Sequence, residues 1–396
     1  MPKLILLFFL IFIITGVVAQ ERAVTPEATV VSSPGIPTAQ AKSIDGLSRY
    51  INAHYRTPQE KVQALYSWLT SNVVYDVYAL TNMPQYYEKQ ALISQTLTTK
   101  KAFCQGYAEV FNEVCAKIGV PSYLVTGFVI PKGSSKPVSH AWCAALLNGK
   151  WYLFDPTWGA GFVENGKFVS RINTRYFMAP PAKMIQTHIP FDPLWQFSTQ
   201  PLTYQEFISS RTGLAKPTVA KPKPLFSYRD SLAVYAASSH KAQLVSTIRR
   251  ISAHKAIPPV VLDHLNHTKK NLAINNQNET VDLYNEAVSS FNVGIDQLNQ
   301  FIGYRNNRFQ PAKSEQELKQ MTQHCADKFS ETKRLLQQIK PGDNTNLFLS
   351  LQNMKAMVEK ALLQVESQRM FVDHYFKTPV KQRPALFYKQ ALAERN

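Results

Sequence analysis

Cysteine is scarce in this chain, with only Cys104, Cys115, Cys143 and Cys325 among its 396 residues. That excludes a disulfide-dense scaffold. No two Cys or His residues have zinc-finger spacing, so neither a metal nor any other cofactor is expected. Cys104 and Cys115 fall on one predicted helix, too far apart to bridge. Cys115 and Cys143 can meet between a helix and a strand, where the reading favours two small buried hydrophobes over a disulfide. Acidic residues are also short, 27 against 44 Lys and Arg, for a net charge of +17. No nucleic-acid recognition motif and no arginine-rich run accompanies this charge. Nucleic acid is therefore not an expected partner, and the charge suits anionic surfaces such as lipid or cell-envelope polymers. Beyond the first twenty or so residues no run is long and apolar enough to span a bilayer.

The amino-terminal run itself is short. Lys3 precedes an apolar stretch from Leu4 to Val18, interrupted by Thr15 and Gly16, and Val17-Val18-Ala19 ends it in small residues. This is the pattern of a secretory signal cleaved near Ala19, giving a secreted or periplasmic protein with no stable membrane span after cleavage. An uncleaved anchor is the alternative, disfavoured because the run is shorter than the roughly 20 residues of a spanning helix. Residues 20–43, rich in Pro, Ala, Thr, Val and Ser, read as an extended tether.

The chemistry is concentrated between Lys101 and Gly159. After Cys104, the residues Tyr107, Val110, Phe111, Val114, Cys115 and Ile118 recur at the spacing of a buried helix face, and Gly119 and Pro121 stop it. Cys104 thus sits in the first turn, where unpaired N–H groups and the helix dipole favour a thiolate. Two strand patterns follow, Ser122 to Ile130 and, after the polar loop at Gly133, Ser134 and Ser135, a hairpin from His140 to Asp155 turning at Asn148-Gly149. A two-residue turn puts Leu147 opposite Lys150, Trp142 opposite Asp155 and His140 opposite Thr157. Asp155 is then a diagonal neighbour of His140, within reach of its ring. Cys143 points to the opposite face. Nucleophile, base and orienting acid occur in the order Cys104, His140, Asp155. The bland alternative is a buried cysteine, a satisfied histidine and a turn-forming Asp-Pro.

At these residues the chain resembles the transglutaminase-like superfamily, in its bacterial members and its kyphoscoliosis-peptidase-type branch. The motifs are Phe103-Cys104-Gln105-Gly106-Tyr107-Ala108, His140-Ala141-Trp142 and Phe154-Asp155-Pro156-Thr157-Trp158-Gly159. The resemblance covers roughly residues 45–210 and implies an α+β papain-like core, a cysteine helix packed on an antiparallel sheet. Ala102 departs from it, standing where many members have glycine.

Elsewhere, Thr57-Pro58-Gln59-Glu60 is a capping box with proline at the first helical position. Its helix carries Val62, Leu65, Tyr66, Trp68 and Leu69, and Trp68, Tyr75 and Asp76 read as core. Residues 81–101, with Tyr86 and Tyr87, form a helix-loop connection. Asn165-Gly166 marks a further hairpin, while His188 to Pro193 reads as irregular chain, its prolines favouring a packed loop over a second catalytic role for His188. After the catalytic domain (44–211), Lys-Pro pairs punctuate a linker at 212–226. Residues 227–396 read as an all-α bundle: helices over 232–251 and 284–302, a third opened by the Ser314-Glu317 capping box and ended at Pro341-Gly342, and a fourth over 347–365. The expected function is that of an exported cysteine enzyme cleaving or transferring amide bonds of a peptide or protein substrate through a thioester. The alternative is a peptide-binding module without turnover. The helical half is expected to engage a cell-envelope or protein partner.

Limited proteolysis should cut first between Lys216 and Pro224 and leave two folded fragments, because a Lys/Pro linker buries no core. A first cut elsewhere, or a fragment that does not stay folded, ends the two-part reading.

Overall fold

The computed structural model describes residues 35–81, 88–131, 134–213, 224–342 and 344–387. The expected signal at 1–19, most of the tether, Tyr86, Tyr87, Gly133 and most of the 212–226 linker lie outside these residues. The chain divides after Tyr228 into two compact units.

The first unit opens with α1 (Ile44–His54) and α2 (Pro58–Asn72). The predicted capping box is formed, with Thr57 accepting from the Glu60 N–H and Glu60 reaching back to the Thr57 N–H. A two-residue strand β1 (Val74–Tyr75) leads to the short α3 (Val77–Thr81). Then come α4 (Lys89–Thr99), β2 (Lys101–Ala102) and α5 (Cys104–Lys117). β1 and β2 pair in parallel, Val74 beside Lys101 and Tyr75 beside Ala102. This pairing fixes the chain immediately before α5.

The main sheet contains β3 (Ser122–Val129), β4 (Val138–Leu147) and β5 (Lys150–Phe154). The hairpin turns at Asn148-Gly149, both at positive φ, and Leu147 faces Lys150 as the sequence implies. The ladder ends at Cys143 and Phe154, short of the expected Trp142–Asp155 and His140–Thr157 positions. Pro156 cannot donate to a ladder but suits the first turn of a helix. The chain therefore turns at Asp155 into α6 (Pro156–Ala160), and Thr157 belongs to that helix instead of facing His140 across the sheet. β6 (Gly161–Glu164) and β7 (Lys167–Ser170) form the second hairpin. α7 (Pro181–Met184) precedes β8 (His188–Pro190), which corrects the expectation of irregular chain there. β8 pairs antiparallel with β3, giving the strand order β5-β4-β3-β8, and α8 (Tyr204–Thr212) follows.

The core lies between α5 and the sheet face that carries Ala141, Cys143, Ala145 and Leu147. Tyr107, Phe111 and Val114 of α5 and Leu65 and Leu69 of α2 are fully buried in it. Each such side chain contributes about 1.5–3 kcal/mol by leaving water. Trp68 is buried as expected, whereas Tyr75 and Asp76 are only half-buried.

In the second unit, residues 232–251 form two helices, α9 (Tyr228–Ala237) and α10 (His240–Ser252), and not one. Ser239 interrupts them by capping α10 through the Ala242 N–H. The heptad pattern at 284–302 lies within the 48-residue α11 (Pro259–Asn306). α12 (Glu315–Gln338) starts at the predicted Ser314 capping box, and α13 (Thr345–Lys377) completes the seam. Phe291, Leu298, Cys325, Phe329, Leu351, Val358 and Val365 meet in its core.

A methyl group added at Gly127 would lie 2.2 Å from the Ile189 carbonyl oxygen of β8 and 2.4 Å from the Trp142 ring. Gly127→Ala should therefore cost about 1–3 kcal/mol or more by overpacking, read as a lower denaturant midpoint of unfolding. An unchanged midpoint would mean that β8 yields freely.

Candidate active site

Cys104 is the first residue of α5 and is 8% exposed. Lys100, in the left-handed conformation, ends α4 and turns the chain into the β1–β2 pair, which delivers it to the start of α5. No acidic residue and no side-chain cap occupies the first turn of α5, so no side chain of that turn offsets the positive helix end at Cys104. Tyr107, one turn on, donates its hydroxyl to the Val73 carbonyl and ties the helix to the β1 entry.

Asp155 caps α6. Its Oδ1 accepts the N–H groups of Thr157 at 2.9 Å and Trp158 at 3.1 Å. Its Oδ2 accepts from His140 Nε2 at 2.9 Å. The same oxygen accepts from His188 Nε2 at 3.1 Å. The Phe-Asp-Pro-Thr-Trp-Gly motif thus has a local physical reason: an acidic cap, a proline at the first helical position, and a glycine where a side chain would strike the Tyr66 hydroxyl at 2.0 Å. Tyr66 in turn donates to the Asp155 carbonyl at 3.4 Å.

His140 and Asp155 make the contact expected from the sequence, although from a helix cap instead of a strand end. Cys143 lies on the other face, donating to the Ala108 carbonyl of α5 at 3.7 Å. All four cysteines are free. Burial alone would push the His140 imidazole down. The Asp155 charge and hydrogen bond, with a hydrogen bond and charge from Cys104, outweigh it and take the ring up to about 10. Burial also acts against the Asp155 carboxylate, yet His140 and His188 hold it well below the usual carboxylate range. His188 goes the other way, down to about 4, chiefly because it is buried.

His188 is the participant that sequence reasoning passed over. Its flanking prolines suggested packing, and only the pairing of β8 with β3 brings it to Asp155. Trp142, Trp158 and Tyr176 wall its ring, with centroids 5.1, 4.6 and 5.7 Å away. Among the described residues, His140, Asp155 and His188 are the one group with metal-ligand atoms close together, within 4.8 Å. Those atoms are engaged with one another as hydrogen-bond donors and acceptor.

Residues 45–156 match the family model of the transglutaminase-like superfamily. The chain is similar to kyphoscoliosis peptidase of Mus musculus, 34% identical over 160 residues, or 38% of this chain and 24% of the mouse protein. It is 33% identical to the Homo sapiens protein of that name over 177 residues, covering 42% of this chain and 26% of the relative. The chain therefore spans about a quarter of the length of these curated relatives. A crystal structure of a TGase covers 40% of both chains at 22% identity, with a TM-score of 0.25.

The shifts set the pH dependence of stability. His140 binds its proton more tightly folded than unfolded, so its contribution is complete below roughly pH 6.5 and is lost as pH rises through about 10. His188, held down to about 4, acts oppositely: its contribution is present above roughly pH 6.5 and is lost as pH falls towards its folded value. Asp155 adds a loss at still lower pH. Urea midpoints should accordingly fall on both sides of neutrality, and His140→Phe should flatten the alkaline side, while also weakening the acid-side loss that Asp155 and His188 owe to His140. An unchanged alkaline slope in that variant would refute the assignment.

Proposed function

We propose, from the premise that residues 45–156 are a transglutaminase-like domain, that the chain is a cysteine enzyme acting on amide bonds of peptides or proteins. The observation that carries this reading is the buried His140–Asp155 pair at 2.9 Å, with Cys104 at a helix start and its sulfur among the causes that draw the same imidazole up. His140 Nε2 is engaged by the carboxylate, which leaves Nδ1 for the thiol. Cys104 sulfur attacks the substrate carbonyl carbon, and the Cys104 backbone N–H steadies the developing oxyanion. The His140 imidazolium then protonates the leaving amine as the C–N bond breaks, giving a thioester. Water or an incoming amine gives up a proton to neutral His140, attacks the thioester and releases the product. Asp155 holds the ring in its productive tautomer throughout.

Hydrolysis is the favoured outcome, because water is always available as acceptor and the relatives are named peptidases. The Leu4–Ala19 pattern supports export and cleavage near Ala19. No helix among the described residues is long and apolar enough to cross a membrane. The two-part organisation is proposed to serve as a catalytic domain (44–211) with a helical domain (227–396) that meets a protein or cell-envelope partner.

Cys104→Ala and His140→Ala should each lower turnover of peptide substrates by about 10³-fold or more while the protein stays folded. Asp155→Asn should lose less activity but more stability, since its amide can still cap α6 through one oxygen but turns an NH2 group towards the two imidazole donors. Product analysis with and without a primary amine separates hydrolysis from transfer. Brief iodoacetamide treatment near pH 6 should label Cys104 first, because burial pushes the thiols of Cys115, Cys143 and Cys325 up. Full turnover by Cys104→Ala would end the cysteine-enzyme reading, and absence of turnover in the wild type would favour the binding module.

A further inference from the structure

We propose that His188 is a neutral positioning residue for the His140–Asp155 pair: it clamps the carboxylate oxygen that orients His140 and does not itself exchange protons with substrate. The inference rests on the catalytic reading above and adds a member to it.

The hydrogen bonds place a proton on Nε2 of the ring. An ionised carboxylate can only accept, so His188 Nε2 carries the proton that it gives to Asp155 Oδ2 at 3.1 Å. Its Nδ1 lies 2.8 Å from the Thr187 hydroxyl, whose single hydrogen goes to this nitrogen when the ring is neutral and to the Met184 carbonyl, 3.3 Å away, when the ring is protonated. Burial, reinforced by the charges of His140 and Arg211 and opposed by Asp155, keeps the ring neutral down to about 4. The His188 side chain is completely buried. A ring that is neutral, enclosed and hydrogen-bonded at both nitrogens is poorly placed to act as a base. It is well placed to hold an acceptor still.

Its backbone is equally constrained. β8 is registered on β3, with Val129 opposite His188 and Gly127 opposite Pro190, and the Phe191 N–H continues the contact to the Thr126 carbonyl at 3.0 Å. Asp155 is held from two sides as a result, Oδ1 by two α6 N–H groups and Oδ2 by two imidazoles. Without His188, Oδ2 keeps only its bond to His140, and the carboxylate is freer to turn about it. The other titratable groups near Asp155 are the phenols of Tyr66, Tyr75, Tyr107 and Tyr176 and the Cys143 thiol. Cys104 acts through His140. None of these groups replaces the N–H that His188 gives to Asp155 Oδ2.

The test compares His188→Met with His188→Gln, side chains of similar length of which only glutamine keeps an N–H donor near the Nε2 position. His188→Met should lower kcat about 10- to 100-fold, the scale of losing a hydrogen bond to a charged group, with little change in KM. The acid-side fall in activity should begin at higher pH, because Asp155 loses a donor that favours its ionised form. His188→Gln should recover most of kcat and the wild-type acid side. A purely structural role predicts instead that both variants lose activity in step with their thermal stability and leave the pH profile in place. Equal activity of His188→Met and wild type, or no advantage of glutamine over methionine, overturns the proposal. If no peptide is turned over, or if Cys104→Ala keeps activity and removes the catalytic reading, the same pair is compared by the rate of Cys104 alkylation near pH 6. A slower rate in His188→Met, restored in His188→Gln, supports the clamp, and equal rates overturn it. Nitrogen-15 histidine spectra of the wild type supply a check that needs no activity: a neutral Nε2–H tautomer for His188 between pH 5 and 8 is expected, and a protonated ring at pH 7 refutes it.

Discussion

A carboxylate with no exposure to water has to recover, from the protein alone, the hydration that it gives up. Asp155 is completely buried, and its two oxygens accept from two backbone N–H groups and two imidazoles. This is the constraint on which the rest of the first unit depends. The backbone donors exist only because α6 starts at Asp155. One imidazole arrives from β4 and the other from β8, at opposite sides of β3 in the sheet order. A carboxylate so placed ties a helix start, a central strand and an edge strand to one point. Gly127 and Gly159 then read as places where neighbours crowd in on that arrangement, against the Trp142 ring with β8 and against the Tyr66 hydroxyl.

Much of this was legible because it is local. The capping boxes at Thr57 and Ser314, the Asn148-Gly149 turn and the apolar face of α5 are each specified by residues a few positions apart, and each formed as read. The meeting of His140 with Asp155 was legible for the same reason, since a tight hairpin sets register over a short stretch. The exact end of that ladder was not. Strand alternation carries Asp155 forward as a ladder residue, whereas Pro156 changes the chain to helix there. His188 was harder still. Its partner is 33 positions away in sequence, and nothing in His188-Ile189-Pro190 announces pairing with β3. Edge-strand pairing at long range is decided by what the sheet leaves open, which periodicity does not record.

The helical unit repeats the lesson with different chemistry. Heptad spacing marks the seam of α11, α12 and α13 through Phe291, Cys325 and Val358. It gives no hint that Arg305 and Gln368 are buried together, with the guanidinium donating to the Gln368 amide oxygen at 2.6 Å and lying 4.3 Å from the Phe371 ring centroid. Polar residues look like surface in a pattern that counts only apolar ones. Their burial becomes visible once the partners that satisfy them are brought together by the fold. Gly294 is a related case, invisible as a packing position until the Phe329 ring is seen to lie where its side chain would be.

The same electrostatics bear on how one histidine can serve two successive steps on the proposed reading. In the resting site, the Asp155 charge and the Cys104 sulfur both favour the cationic ring, and His140 is drawn up to about 10. A ring so stabilised is well suited to steady a thiolate but a poor proton donor. Acylation converts the sulfur to a thioester, and the contribution that Cys104 makes to holding His140 up is lost. The imidazolium becomes more acidic as the leaving amine needs its proton. The neutral ring that results is then available to take a proton from water or an amine. Asp155 remains ionised through both steps, because its other three hydrogen bonds do not involve the reacting atoms. On this reading a constant carboxylate and a sulfur that is free in one step and acylated in the next move His140 from acid to base.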